Sequence, residues 1–113
     1  MHPARRMNFQ DLYGMLIDAE TSGLVRIARS TDALKLFCYT EKAVFDRAWT
    51  PATRLARGLI LDPINGNVVA TPFVKFWNVG EGELATIPSC EFEAFEKMDG
   101  SLIVIWHHDG QWR

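Results

Sequence analysis

Near the start of the chain, apolar residues recur at three- and four-residue intervals at Phe9, Leu12, Met15, Leu16 and Ala19, which is one face of a helix. Asn8 stands just before this run, where its side chain can accept hydrogen bonds from first-turn amides. The spacing therefore predicts a helix from that cap to Ser22-Gly23. The period then changes to two. Residues 24–28 and 34–39 alternate around Ser30-Thr31-Asp32, and residues 58–62 and 67–71 alternate around Pro63-Ile64-Asn65-Gly66, so two hairpins are predicted. The stretch between them, with Pro51, reads as short and helical or irregular. Residues 91–96, Glu-Phe-Glu-Ala-Phe-Glu, read as a half-buried strand delivering Lys97 to its end. Residues 102–107 read as a further strand, His108-Asp109-Gly110 as a turn, and Gln111-Trp112-Arg113 as the first residues of a return strand. The pattern predicts an α+β fold, a mostly antiparallel sheet with an N-terminal helix, over one unit at 1–113 with no linker, repeat or low-complexity segment.

Composition changes this picture little. With 113 residues, 48% hydrophobic and 12% aromatic, the chain has enough apolar content for a packed core and is unlike a disordered segment. A formal net charge of −2 gives no electrostatic footprint for nucleic acid, although basic residues gather at Arg5-Arg6 and across Arg47, Arg54 and Arg57. Cys38 and Cys90 are too far apart for a zinc-binding pair and read as two buried thiols, while His107 and His108 would face opposite sides of a strand. No metal ligand is assigned. There is no apolar run of transmembrane length and no signal-peptide pattern, which predicts a cytoplasmic protein without membrane contact.

The stretch that suggests chemistry is Lys97-Met98-Asp99-Gly100-Ser101. A lysine acts as a nucleophile only when deprotonated, and desolvation, neighbouring cations or a metal ion can favour its neutral form. Asp99 could orient Lys97 or help hold a divalent ion, Gly100 would let backbone approach a phosphate or sugar, and Ser101 adds a hydroxyl donor. Arg57, before the run Leu59-Ile60-Leu61, and Lys75, in Lys75-Phe76-Trp77-Asn78, are candidate cations for a phosphate at strand ends. Each has a plainer alternative: Asp99-Gly100 as a hairpin turn, Arg57 and Lys75 as solvated charges, and Phe76-Trp77 as one core and one partly exposed aromatic.

Taken in order, Tyr39-Thr40-Glu41-Lys42, Arg47-Ala48-Trp49, Ala56-Arg57-Gly58-Leu59-Ile60-Leu61-Asp62, Pro72-Phe73-Val74-Lys75-Phe76-Trp77-Asn78 and Glu96-Lys97-Met98-Asp99-Gly100-Ser101-Leu102 resemble the N-terminal part of the ATP-dependent RNA ligases of the phage tRNA-repair type, within the covalent nucleotidyltransferase superfamily. The resemblance implies the front portion of an adenylyltransferase (ATP-grasp-like ligase) domain. It also implies that Lys97 becomes lysyl-AMP, and that Arg57, Lys75, Trp77, Glu96, Asp99, Gly100 and Ser101 contact the nucleotide. ATP and magnesium are the implied cofactors, and RNA 5′-phosphate and 3′-hydroxyl ends the implied partners. The superfamily's later motifs would lie beyond residue 113, so the chain reads as a partial ligase, with a C-terminal ligase half as a further partner. Two alternatives stay open: a non-catalytic ligase remnant or interaction module, and another covalent nucleotidyltransferase such as a DNA ligase or capping enzyme.

Overall fold

The computed structural model describes residues 1–31, 33–82 and 86–113. The architecture is α+β: an antiparallel four-stranded sheet in the order β1-β2-β3-β4, with a helix against one face and a small β5-β6 hairpin on the other. The strands are β1 (Val25–Ser30), β2 (Lys35–Tyr39), β3 (Arg57–Asp62) and β4 (Asn67–Ala70), followed by β5 (His107–His108) and β6 (Gln111–Trp112).

Helix α1 (Phe9–Thr21) starts where Asn8 Oδ1 accepts from the amides of Gln10 at 2.9 Å and Asp11 at 3.2 Å. It ends in a Schellman arrangement: Gly23 at φ 76° donates to Glu20 O, and Leu24 donates to Ala19 O. Leu12, Leu16 and Ala19 form its buried stripe and pack with Val25, Phe37, Leu59 and Leu61 of the sheet. The three consecutive apolar residues of β3 divide between the faces. Leu59 and Leu61 join the helix side, while Ile60 joins Leu34, Ala70 and Trp106 on the other. A strand buried on both faces carries a continuous apolar run for that reason.

The connection between β2 and β3 forms two short helices, α2 (Glu41–Phe45), capped by Thr40, and α3 (Pro51–Leu55). Thr50 and Thr53 build a reciprocal capping box at α3, with Pro51 in its first turn where a missing N–H costs nothing. The open edge at β4 is held by Arg5, whose guanidinium donates to Val68 O, Val69 O and Thr71 Oγ1 at 3.0–3.3 Å. The turn after β3 is organised by Asp62. Its fully buried carboxylate accepts from the amides of Ile64 and Asn65 at 3.1 Å and from Asn65 Nδ2 at 2.8 Å. Those bonds, the Asn65 side chain first, hold its pKa below the usual 3.8 for an aspartate.

Both predicted hairpins form, with Leu24 and Leu34 just outside their strands and Asp32 outside the described residues. The predicted strand at 91–96 does not form. Residues 91–105 are in no regular element, and no backbone hydrogen bond joins residues 86–105 to a partner among the described residues. Phe92 is 86% exposed and Phe95 84%. The apolar positions there are 92, 94 and 95, so alternation breaks at Phe95, and no neighbouring strand supplies the hydrogen bonds that would override this. For the same reason residues 102–106 are not a strand. The final hairpin is shorter than predicted, turning on Asp109-Gly110 with both at positive φ, and His108 lies in β5 instead of the turn. Asp99-Gly100 is not a hairpin turn either, since no strand flanks it. Cys38 is half-buried and Cys90 exposed, so neither is the buried thiol expected. Among the described residues no helix is long and apolar enough to cross a membrane.

Candidate functional site

The site begins at the first residue of β3. Gly58 follows Arg57 at φ 82°, a conformation open to glycine, and a Cβ there would stand 3.4 Å from Pro72 Cγ. The Arg-Gly pair thus lets the segment after β4 pass close to the start of β3. That segment is anchored by the Lys75 amide, which donates to Arg54 O at 2.8 Å, and by Val74 against the main core. Lys75 and Trp77 are brought against Trp49, in the turn before α3, and Arg54 of α3, while Arg57, eighteen residues before Lys75, meets the intervening Phe76.

Within the cluster, each cation lies on an aromatic ring. The Arg57 guanidinium is 4.1 Å from the Phe76 ring centre, and that of Arg54 is 5.5 Å from Trp77. The Lys75 ammonium is 4.9 Å from Trp49 and 5.4 Å from Trp77, and it donates to Phe76 O at 2.8 Å. The rings brace one another edge to face: Tyr39 on Trp49 at 5.2 Å and Trp49 on Trp77 at 6.3 Å. Such cation–ring contacts contribute about 0.5–1 kcal/mol each when exposed and more when dehydrated. A groove of about 360 Å³ adjoins the cluster, floored by Leu55 and Val74 and rimmed by Arg54, Lys75 and Trp77.

Arg57 Nη1 is buried with no hydrogen-bond partner among the described residues. A buried donor of a charged group left unpaired is costly, and an anionic oxygen is the partner that would satisfy it best. Cations held against aromatic faces can bind an anion joined to a flat ring, which is the chemistry of a nucleotide.

Glu96, Lys97, Asp99, Gly100 and Ser101 are exposed and lie on a segment without regular structure. Lys97 makes no hydrogen bond or ion pair among the described residues. The structure brings Lys75 and Trp77 into contact, joins Arg57 only to the intervening Phe76, and leaves the lysine motif outside these contacts. Among the described residues no group of three or more His, Cys, Asp or Glu side chains could hold a metal ion. Trp49 and Arg54 belong to the cluster, although the resemblance implies no nucleotide contact for either; Thr50-Pro51 marks the start of the helix that carries Arg54. No protein-family model, no curated protein and no solved structure matches this chain.

Proposed function

We propose that the chain carries the nucleotide-contacting front portion of an ATP-dependent RNA ligase. In this reading the Lys97 amine loses a proton and attacks the α-phosphorus of ATP. A P–N bond forms as the bond to pyrophosphate breaks. An RNA 5′-phosphate oxygen then takes the adenylyl group from Lys97, and a 3′-hydroxyl of the second RNA end displaces AMP, sealing the strand. Arg57 and Lys75 offset phosphate charge, since stabilising charge that develops in transfer is usually the largest catalytic contribution. Trp77 supplies an aromatic face for the nucleotide. The observation that carries the reading is the buried, unpartnered Arg57 Nη1, with Arg57 on the ring of Phe76 and the flanking residues Lys75 and Trp77 in contact with each other.

A second reading, an interaction module without catalysis, is favoured by the exposed apolar residues Phe92, Phe95, Met98, Ile103 and Ile105 on the segment that holds Lys97. Titration with ATP separates the two. On the ligase reading the chain binds ATP, and Arg57→Ala and Lys75→Ala each weaken it several-fold. Equal ATP affinity in the wild type and both variants, or no binding at all, refutes the ligase reading for this cluster.

A further inference from the structure

Resting on the nucleotide reading of the cluster, we propose that Trp49 is a positioning residue for Lys75, acting on phosphate binding through it. Trp49 is set in place by the turn that ends α2. Arg47 adopts φ 51°, the Ala48 amide donates to Ala43 O, and the Trp49 amide donates to Arg47 O at 3.0 Å. Tyr39 packs edge-on against the indole from one side and Trp77 from another, so the ring has little freedom to rotate. The ammonium of Lys75 stands against this fixed ring at 4.9 Å and against Trp77 at 5.4 Å.

A lysine ammonium sits on a four-carbon stem with large rotamer freedom and has three donors. One donor is used on Phe76 O. The two indoles attract the charge without accepting conventional hydrogen bonds from it, which leaves the other donors available to phosphate oxygens while the stem is held. Trp49 thereby lowers the entropy that Lys75 would otherwise lose on meeting a polyphosphate.

The test compares wild type, Trp49→Phe, Trp49→Leu and Lys75→Ala by NMR and by titration with ATP and with adenosine. Without ligand, the Lys75 methylene protons next to the ammonium should be displaced upfield by ring current in wild type and Trp49→Phe, and much less in Trp49→Leu. Trp49→Leu should weaken ATP roughly two- to fivefold, the effect of losing one such contact. Adenosine, which has no phosphate for Lys75, should bind unchanged. Trp49→Phe should stay within about twofold of wild type by the same reasoning. An unchanged Lys75 signal in Trp49→Leu, or equal loss for ATP and adenosine, overturns the role. Should Trp49→Leu not fold, a Trp49→Phe protein as weak for ATP as Lys75→Ala does the same. If the ring-current pattern holds while wild type binds no ATP, the nucleotide reading falls and the placement of Lys75 by Trp49 stands.

Discussion

Replacing Asp62 with alanine tests how the β3-β4 hairpin is held. The carboxylate is fully buried and accepts three hydrogen bonds, two from backbone amides and one from Asn65 Nδ2. Hydrogen bonds to a charged group contribute about 1.5–3 kcal/mol each, but Ile64 and Asn65 are exposed, so water can replace part of what their amides lose. The expected loss is about 2–3 kcal/mol at pH 7, read as a lower urea midpoint with an unchanged slope. An asparagine side chain at this position would keep an acceptor for the two amides, so Asp62→Asn should lose about half as much. The pH dependence has a definite sign. Because the folded pKa of Asp62 lies below its ordinary 3.8, its contribution is present above that value and is lost as pH falls through the lower, folded one. The gap between wild type and Asp62→Ala should therefore narrow on acidification below about pH 4. An Asp62→Ala protein within about 0.5 kcal/mol of wild type at pH 7, the scatter of a neutral surface change, would refute this reasoning.

Phe37→Ala removes a fully buried ring from the middle of the main core and should cost about 3–5 kcal/mol in urea unfolding, a large share of a small domain's stability. Gly58→Ala forces an L-residue to φ 82° beside Pro72. It should cost about 1–2 kcal/mol in urea unfolding, from the left-handed backbone that an alanine would have to adopt. With a thiol reagent on the native chain, exposed Cys90 should react first and half-buried Cys38 more slowly; equal rates would contradict the packing of β2.

Much of the fold is legible where a signal is local. Asn8 and Gly23 bound α1 through their own hydrogen bonds and φ angle, and the two hairpins follow from alternation meeting turn residues. Arg57 stands at a strand end as its place before an apolar run suggests, at the first residue of β3, whereas Lys75 lies five residues past the end of β4 in no regular element, so the strand-end expectation fails there. Residues 91–106 fail because a strand is a relation between two chains of hydrogen bonds, and apolar side chains in one of them do not supply the other. Trp49 joins the site through contacts with Tyr39, Lys75 and Trp77 that depend on how α2 and α3 fold back on the sheet, which no period in the sequence encodes. Asp62 reads as the end of a strand; only its burial beside Asn65 shows it as the turn's organising acceptor.

The most direct test of the ligase reading is transfer of label from α-labelled ATP, with magnesium, to the chain, alone and with a C-terminal ligase part supplied in trans. Label that is acid-labile and base-stable, as a phosphoramidate is, should map to Lys97 in the combined protein. It should vanish in Lys97→Arg, which keeps the charge but is never deprotonated, at unchanged thermal stability. Label that persists in Lys97→Arg, or that never appears in any combination while Arg57 and Lys75 still bind ATP, would contradict Lys97 as the adenylated nucleophile.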